Sequence, residues 1–513
     1  MTHKALHRSA LSRRRFLAQA LGCLPLEVLA AEAPGASEGE SYFDESRPVV
    51  NRPEDLSADI VVVGGGGAGL AAAARAAEIG ASVIVLEQMP QLGGNTLIAS
   101  GYYAAVDPVR QGAAGITDSV EDFFALLLAN AGPTGDPGRL MRLAVESRPV
   151  MRWLEGLGVE FAPGVYEISG SLFPRTYKPV MPNGVGYVRQ LAARAGQFGV
   201  KIFTRCRARS LFSTMTAQGV KRIAGVEAEN VDGRRLRFTA RLGVVLASGG
   251  FSANRRLIER FAPRYRNLTH DNAPGATGEM LLAAEAQGAR LVDMGIVQCQ
   301  PGCPVGSTRR VRFHNDVKRF ILLDARGRRF VAEDGRRDVI RDRVLALPNG
   351  MAYTLIDDNG FRSYNRLLQR DAVLAVETGD AWTADSIEDL ARQVGFDPGV
   401  LRETLARYER GVAEGRDEFG KKLDGVRPIV RPPFWLAPAA MTIHATSGGI
   451  AVDAVGRALD RSGEVIPGLW AAGEATGGLH GENQLGGCGL ADAFVFGRAS
   501  AESILGVTTY TGV

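Results

Sequence analysis

Cysteine is scarce in this sequence, and the few cysteines do not form the patterns that bind haem or iron–sulfur clusters. The chain of 513 residues contains 5 cysteines. None lies in a CxxCH motif or in a four-cysteine run, which excludes an attached c-type haem and a cysteine-ligated iron–sulfur cluster. Cys299 and Cys303 are close enough to pair in an oxidising compartment, and two separate loop or core thiols are the alternative.

Histidine and long apolar runs are rare as well. Of the 6 histidines, only His3 and His7 form an HxxxH pair, and both lie at the extreme N-terminus. No structural metal site is therefore expected. Beyond the N-terminal segment, no stretch approaches the roughly 18 consecutive apolar residues of a membrane-spanning helix. We expect no integral membrane segment in the mature chain.

Neither sign of charge dominates. The chain has 60 Lys and Arg against 56 Asp and Glu, and removal of residues 1–33 would leave 55 against 54. Because the two signs of charge are so nearly balanced, the composition gives no indication of a basic patch that would bind nucleic acid. The 45% hydrophobic content allows a large core and favours two domains, and the 63 glycines are typical of an α/β protein with many tight turns.

The N-terminal segment has the features of an export signal. Residues 12–17, SRRRFL, precede a modestly apolar run that ends near Ala30, and residues 31–33 suit cleavage by signal peptidase. This pattern is typical of twin-arginine export, which carries folded proteins. The sequence thus predicts a periplasmic protein, and a merely basic N-terminal arm is the alternative.

The most informative stretch, residues 59–96, begins as a site for an adenine dinucleotide. Residues 59–63 form a short β-branched apolar run, as a buried parallel strand does. The GxGxxG turn of residues 64–69 then opens an alanine-rich helix, where glycine lets the backbone approach a pyrophosphate. A second strand, residues 82–86, delivers Glu87, whose carboxylate can accept ribose hydroxyl groups. Together these elements favour a dinucleotide site over an ordinary glycine-rich loop.

A second glycine turn after Glu87 indicates which dinucleotide is bound. Gly93-Gly94-Asn95-Thr96 would return the chain across the pyrophosphate towards an isoalloxazine ring. The sequence GGNTLIASG, residues 93–101, resembles flavoproteins of the fumarate reductase and succinate dehydrogenase type. The resemblance implies FAD as cofactor. Membrane-bound relatives carry covalent flavin on a histidine that would fall near Asn95 and Thr96, where none is present, so noncovalent binding is expected.

Further glycine-bearing motifs follow in the order of that family. The strand before Gly249-Gly250 resembles the family's ATGG strand, and residues 272–279 resemble its NxxxATGDG turn, with Glu279 in place of Asp. Residues 468–474 resemble the strand whose final Glu faces the ribityl chain. Residues 485–490 resemble the start of the last helix, whose amides can point at the flavin.

The resemblance spans residues 58–507 and implies an α/β fold, in which an α+β capping domain is inserted into a Rossmann-like FAD-binding domain. The expected divisions are a signal peptide at 1–33, an exposed linker at 34–57, the FAD-binding domain at 58–300 and 436–513, and the capping domain at 301–435. The residues expected to hold FAD are Gly64, Gly66, Gly67, Ala68, Gly69, Glu87, Gly94, Asn95, Thr96, Gly101, Ala208, Ser248, Gly249, Glu279, Glu474, Gly489 and Leu490.

The capping region carries a candidate proton donor. A flavin that reduces an activated double bond needs an acid for the second carbon and groups that hold the electron-withdrawing substituent. In soluble fumarate reductases the acid is an arginine, and residues 324–338 match that stretch without a gap, which places Arg337 there. Asp338 and Asp316 are candidates for resupplying its proton. The alternative for Arg337 is a surface salt bridge.

The substrate-binding residues depart from the family's pattern. His444 resembles its carboxylate-binding histidine, with a structural role as the alternative. Gln300, however, replaces a second histidine, and Gln484 replaces an arginine that clamps a carboxylate through two hydrogen bonds. An expected Thr-Glu pair falls on Arg312-Phe313, which leaves the usual proton relay in question. A dicarboxylate is therefore not the expected substrate.

The sequence thus predicts an exported FAD enzyme that reduces an activated C=C bond of an enoate or enone. Arg337 would donate the proton, and His444, Gln300 and Gln484 would orient the acceptor. Because no haem or cluster motif is present, a separate periplasmic c-type cytochrome or quinol-linked protein would supply electrons.

Two other hypotheses stay open. Tyr102 and Tyr103 stand where relatives have small or amide residues, and they either contact the substrate or pack. Dehydrogenases that introduce a double bond into a steroid-like or acid substrate resemble this fold and usually use a tyrosine base. The third hypothesis is a flavin-binding electron carrier or sensor.

Overall fold

The computed structural model describes residues 54–302, 304, 307 and 311–507. The strands are, in chain order, β1 (Glu54–Val63), β2 (Val83–Leu86), β3 (Tyr103–Ala104), β4 (Thr176–Tyr177), β5 (Lys201–Phe203), β6 (Cys206–Met215), β7 (Lys221–Asn230), β8 (Arg235–Leu246), β9 (Thr269–His270), β10 (Leu291–Val292), β11 (Val297–Gly302), β12 (Ile321–Leu323), β13 (Met351–Ile356), β14 (Trp382–Ala384), β15 (Phe434–Thr446), β16 (Gly449–Ile450), β17 (Arg457–Leu459) and β18 (Val465–Ala471).

Helices connect and cover these strands. The α-helices are α1 (Gly67–Ile79), α2 (Gly94–Ile98), α3 (Pro108–Ala113), α4 (Val120–Ala131), α5 (Pro137–Gly156), α6 (Val185–Gln197), α7 (Arg255–Phe261), α8 (Glu279–Ala286), α9 (Arg337–Leu345), α10 (Asp358–Ser363), α11 (Arg366–Thr378), α12 (Ile387–Val394), α13 (Pro398–Glu414) and α14 (Cys488–Ile504). None of those within the described residues combines the length and hydropathy that a bilayer crossing requires.

The larger sheet is organised around the parallel strands of the predicted nucleotide-binding unit. Its order is β17-β18-β8-β1-β2-β5, and β7 joins it beside β8 and pairs with β6. In register, Val63 lies beside both Leu86 and Leu246, and Leu246 lies beside Ala471. Because parallel strands end at the same edge, the turns that follow β1, β2, β8 and β18 meet along one line. This edge is where a nucleotide would bind.

The core of this sheet explains why its strands are so apolar. Residues Ile60 to Val63 of β1 are at most 4% exposed, and the four alanines from Ala71 to Ala74 of α1 are at most 1% exposed. A strand covered on both faces needs apolar side chains at every position, in contrast to the alternation of a half-exposed strand. The short alanine side chains let α1 pack closely between the sheet and α14.

The second sheet carries the capping region. Its order is β11-β15-β13-β12, and both β9 and β14 also pair with β15. β15 runs antiparallel to β11, with Thr442 beside Gln300, and parallel to β9, with Ile443 beside His270. The strands β9, β11 and β15 therefore bring three separate parts of the chain to one place. The α/β class predicted from the sequence is confirmed, whereas the domain boundaries stay a prediction.

A buried ionic cluster holds the segment that leads into α9. Glu333 and Lys421 are joined at 3.2 Å with both side chains fully buried, and Arg329 lies 2.8 Å from Glu333 and 2.6 Å from Asp417. Burial by itself raises the pKa of Glu333. The positive charges of Lys421 and Arg329 outweigh this effect and hold the pKa below its usual value. Removal of one partner from such a cluster leaves an uncompensated buried charge, so the cluster fixes this segment.

Candidate active site

A deep cleft follows the edge of the main sheet where β1, β2, β8 and β18 end. The glycine turns and the start of α14 form one side of it, and the second sheet and capping region form the other. It brings together the sequence-predicted residues Gly64, Gly66, Gly67, Ala68, Glu87, Gly94, Asn95, Thr96, Gly101, Tyr102, Ala208, Ser248, Gly249, Glu279, Gln300, Arg337, His444, Glu474, Gln484, Gly489 and Leu490.

Gly69 and Tyr103 do not line the cleft. A methyl group on Gly69 would lie 1.9 Å from the carbonyl oxygen of Gly64, so this glycine allows α1 to pack against the turn. Tyr103 is fully buried, and its hydroxyl donates to the carbonyl of Ser147 at 2.7 Å. Its ring stacks on Phe494. The substrate contact considered for Tyr103 is therefore wrong, and the residue packs in the core instead.

Glu87 is fixed at the end of β2. Its carboxylate accepts the amide N–H of Gly65 at 2.8 Å and that of Met89 at 2.8 Å. Burial raises the pKa of Glu87, and these hydrogen bonds oppose that shift. The carboxylate is thus held at the edge of the sheet beside the first glycine turn.

The second glycine turn folds over the first one. The amide of Gly93 donates to the carbonyl of Gly65 at 2.8 Å. The amide of Gly67 donates to the hydroxyl of Thr96 at 3.1 Å. The return of the chain that the sequence suggested is therefore present, and it places Asn95 and Thr96 on the cleft.

Asn95 belongs to a hydrogen-bond network that crosses the cleft wall. Its side-chain amide donates to Glu474 at 3.0 Å and to Asn272 at 2.6 Å, and it accepts the amide N–H of Ala273 at 2.7 Å. Glu474 also accepts the amide N–H of Thr446 at 3.0 Å. Burial raises the pKa of Glu474, against the effect of these donors.

Glu279 and α14 complete the nucleotide side. Arg207 binds Glu279 through both its Nε and its Nη2, so the Glu that replaces the family's Asp is held by a bidentate pair. Gly487 precedes α14 with φ +85°, and Gly489 and Leu490 in the first turn line the cleft. The free amides and positive end of this helix favour an electron-rich group there.

Arg337 is the first residue of α9 and lines the other end of the cleft. Its Nε and Nη2 donate to the carbonyl of Ser169 at 3.1 and 2.6 Å. A methyl group on Gly170 would lie 2.4 Å from the Nε, so the guanidinium rests against this backbone. Removal from water lowers the pKa of Arg337 to about 10, although electrostatic interactions with Cys488 and Asp271 oppose that shift.

The two carboxylates suggested as proton sources for Arg337 have other partners. Asp338 pairs with Arg336, whose Nε and Nη2 donate to it at 3.0 and 2.9 Å. Asp316 accepts the amide N–H of Lys318 at 3.0 Å. Within the described part of the chain, no carboxylate forms a hydrogen bond with Arg337.

His444 and Gln300 meet at a carboxylate that the sequence did not single out. The Nδ1 of His444 lies 3.2 Å from both oxygens of Asp271, and the side-chain amide of Gln300 donates to Asp271 at 2.7 Å. Asp271 directly follows β9, and the pairing of β9 and β11 with β15 brings the three residues together. One available signal was its position directly before the motif of residues 272–279.

Gln484 reaches the cleft from the loop before α14. Its backbone amide donates to the side chain of Gln298 at 3.2 Å, which fixes the loop. Among the described residues, no hydrogen-bond partner is found for its side-chain amide, which lines the cleft. This side chain is available to a ligand.

Tyr102 faces the cleft, next to Tyr166. The two rings pack edge to face with centroids 5.8 Å apart, and the ammonium of Lys178 lies 5.9 Å from the ring of Tyr102. Burial raises the pKa of Tyr102 to about 12. The phenol is therefore held in its neutral form.

The cleft also contains charged residues that were not assigned a role from the sequence. Arg312 and His314 enter from the capping region. His480 lies 3.2 Å from Asp492 of α14, and both line the cleft. Of the two cysteines suggested as a disulfide, Cys299 is buried, and burial raises the pKa of its thiol to about 12. Cys299 is a free cysteine, so the suggested pairing is not formed in this structure, and Cys303 itself lies outside the described residues.

Comparison with known proteins identifies the family. The model of the family described as FAD binding domain matches residues 59–490. The chain belongs to this family. It is also 32% identical over 510 residues to an NADH:acrylate oxidoreductase of Vibrio harveyi. The matched region covers 87% of this chain but only 50% of that protein. The chain therefore spans about half the length of that relative.

Two solved structures have the same fold. One is the open conformation of a flavocytochrome c3 fumarate reductase, with a TM-score of 0.69 and 28% identity over 88% of this chain and 78% of that one. The other is a 3-ketosteroid-delta4-(5alpha)-dehydrogenase from Rhodococcus jostii RHA1, with a TM-score of 0.68 and 28% identity over 88% of this chain and 99% of that one.

FAD is therefore the cofactor, and the chain is an FAD-dependent oxidoreductase of the class that acts on CH–CH groups. Two observations show that the residues present fit it. The hydroxyl of Ser248 is buried without a hydrogen-bond partner among the described residues, and it lines the cleft. A methyl group on Gly249 would meet no protein atom within 4 Å. The backbone after β8 therefore leaves open space and a free hydroxyl group on the side of the cleft where the nucleotide would bind.

Proposed function

We propose that this protein reduces an activated C=C bond in an enoate or enone and that its substrate is not a dicarboxylate. The observation that carries the proposal is the position of Arg337, a guanidinium of lowered pKa, in the same cleft as the FAD-binding residues. His444, Gln300 and Gln484 line the cleft with it, as an acceptor-binding group would. FAD binds without a covalent link in this proposal.

When bound, reduced FAD would supply the hydride that adds to one alkene carbon, and two electrons from a separate donor together with one proton from solvent would restore its reduced state. Arg337 donates a proton from its guanidinium to the neighbouring carbon, so that hydride and proton together convert C=C to CH–CH. Its lowered pKa makes it a stronger acid than a free arginine, whose pKa is roughly 12.5–13.8. The carbonyl of Ser169 orients the guanidinium through two hydrogen bonds.

Asp271 has a positioning role in this proposal. It accepts from Gln300 and contacts His444, so it sets the direction of both side chains. A neutral imidazole that donates its Nδ1–H to Asp271 keeps its Nε2 as an acceptor, and a protonated one donates from both nitrogens. Either form holds a polar substituent of the substrate. The neutral amides of Gln300 and Gln484 do not supply the charge that a second carboxylate needs.

One rival is a dehydrogenase that introduces a double bond. The likeness to a 3-ketosteroid dehydrogenase favours it. Such an enzyme requires a base, however, and burial raises the pKa of Tyr102 to about 12, which disfavours the phenolate. The other candidate, Tyr103, lies in the core. An electron carrier without chemistry of its own would not need the convergence of Arg337, His444 and Gln484.

A viologen-linked screen of the purified protein tests the proposal. Reduced viologen is supplied with unsaturated acids, their esters and cyclic enones, and its oxidation is followed anaerobically. We expect turnover with at least one of these acceptors and little with fumarate. Oxidised protein is assayed in parallel with saturated ketones and acids and an artificial electron acceptor. Turnover only in this second assay would contradict the proposal and favour the dehydrogenase.

The rate is expected to fall as the pH rises through about 10. Arg337 must be protonated to act as an acid, it is protonated below its pKa, and that pKa is about 10. A free arginine would give no such decline in this range. The measurement is kcat against pH from neutral to strongly alkaline conditions. Tyr102→Phe serves as the control and should keep the decline, and a profile that stays flat through pH 10 would contradict the assignment.

Export and the electron donor are part of the same proposal. The twin-arginine pattern of residues 12–17 supports periplasmic location, and it lies outside the described residues. A separate periplasmic c-type cytochrome or quinol-linked protein would then supply electrons. Cell fractionation of the full-length chain tests the location, because retention in the cytoplasm would exclude it.

A further inference from the structure

A second candidate guanidinium for substrate binding lines the cleft from the capping region. Arg312 lines the cleft together with Arg337 and His444. Its neighbours Val311 and Phe313 are 9% and 2% exposed, whereas Arg312 itself is half-buried. Of these three residues, Arg312 is the one that lines the cleft, while its two neighbours are buried in the core.

The segment that carries Arg312 is also anchored by a neighbouring helix. The hydroxyl of Tyr364, directly after α10, donates to the carbonyl of Phe313 at 2.6 Å. The rings of these two residues stack with centroids 6.3 Å apart. Such support favours binding, because a side chain on a flexible segment loses more conformational entropy when it binds a ligand.

The carboxylates of the cleft are the groups that could compete with a ligand for Arg312. Among the described residues, the carboxylates that line the cleft already have donors: Asp271 has His444 and Gln300, Glu279 has Arg207, Asp492 has His480, and Glu87 and Glu474 have backbone amides. A guanidinium has five N–H donors, so Arg312 can keep a protein partner and still bind a carboxylate.

The other residues at the substrate side are less suited to this function, and His444 already lies beside the carboxylate of Asp271. Gln300 and Gln484 are neutral, and a carboxylate that is removed from water without a cationic partner is costly. Arg337 would lose acidity if it were paired with the substrate's carboxylate, because an adjacent negative charge raises a guanidinium's pKa. Three guanidinium groups line the described part of the cleft. Arg207 is bound to Glu279 on the nucleotide side and Arg337 is assigned to proton transfer, so Arg312 is the one left for the substrate's carboxylate.

We infer that Arg312 binds the carboxylate of an unsaturated monocarboxylic acid and that it selects such acids over neutral enones. This inference rests on the proposed function and adds the substrate class. The acid end of the substrate then lies against the capping region. The neutral amides of Gln300 and Gln484 are left for the uncharged part of the molecule.

The test compares Arg312→Gln with the wild-type protein on acrylate and cinnamate and on their methyl esters, in the viologen assay. Loss of a charge-assisted hydrogen bond predicts an increase in KM of about 10- to 150-fold for the acids. For the esters we expect little change. A readout without turnover is the binding of propionate to the oxidised protein, followed by the change in flavin absorbance, which should weaken by a similar factor.

Arg319→Gln is the matched control. Arg319 lies seven residues further along the same segment, is half-buried and pairs with Asp316 at 3.6 Å, but it does not line the cleft. This variant should keep the wild-type preference for acids. Arg312→Lys keeps the charge and should retain part of that preference, so it carries the test if the Gln variant does not fold.

The outcomes separate the inference from the proposed function. If the wild-type protein reduces no acid, ester or enone, the proposed function fails. If it reduces esters but not acids, or if Arg312→Gln leaves the acid-to-ester ratio unchanged, the reductase proposal stands and the role of Arg312 is overturned. An equal loss for acids and esters would likewise overturn it.

Discussion

Arg337→Gln is expected to lower turnover of the preferred unsaturated substrate by about 10²- to 10⁴-fold, the usual contribution of a positioned general acid. Glutamine keeps a polar amide near Ser169 but has no proton to transfer. The flavin content and the melting temperature should stay close to those of the wild-type protein, because the residues that bind FAD lie at the other side of the cleft. The measurement is kcat in the viologen assay.

Arg336→Gln is the control for this substitution. Arg336 is the preceding residue, is half-buried and pairs with Asp338, but it does not line the cleft. Its loss should leave kcat nearly unchanged. Wild-type turnover by Arg337→Gln would remove Arg337 from the mechanism and return the electron-carrier hypothesis to consideration.

Gly66→Leu is expected to yield a folded protein that does not retain FAD. Gly66 has φ −80°, which any residue adopts, and the nearest protein atom to an added methyl group is the carbonyl oxygen of Gly93, at 3.8 Å. The Cβ of a leucine would therefore be accommodated, and we expect the rest of its side chain to occupy the cleft where the pyrophosphate binds. We expect FAD affinity to fall by at least about 100-fold.

Flavin content and FAD titration of the refolded apoprotein measure this effect. Gly196→Leu is the control, because Gly196 is exposed in α6 and an added methyl group there meets no atom within 4 Å. It should bind FAD normally. A yellow Gly66→Leu protein with wild-type affinity would contradict the location of the nucleotide site.

The nucleotide side could be predicted from the sequence because its signals are local. A strand, a glycine turn and a helix follow one another along the chain, and Gly69 is required by the nearby carbonyl of Gly64, which an added methyl group would meet at 1.9 Å. The boundaries moved slightly: the strand predicted at 59–63 begins at Glu54, and the one predicted at 82–86 begins at Val83. These shifts leave Glu87 in place, since both strands end where the turns begin.

The substrate side depends on contacts between distant segments, and the sequence was less informative there. Asp271 acquires its role only because β9 and β11 pair with β15, a register that no local pattern records. Tyr102 and Tyr103 were given the same role, but consecutive side chains of extended backbone point to opposite sides, so only Tyr102 faces the cleft. In the sequence, Arg312 was noted only because it stands where the family's relay pair is expected, and the fold shows that it lines the same cleft as Arg337.

Single-turnover oxidation of the reduced protein is the most direct test of the central claim, that a flavin and one arginine add hydride and proton across a double bond. Protein reduced with one equivalent of dithionite is mixed anaerobically with acrylate or cinnamate. We predict that the visible flavin absorbance returns and that one equivalent of the saturated acid forms. A flavin that stays reduced with every unsaturated acid and enone, while saturated ketones bleach the oxidised protein, would contradict the account.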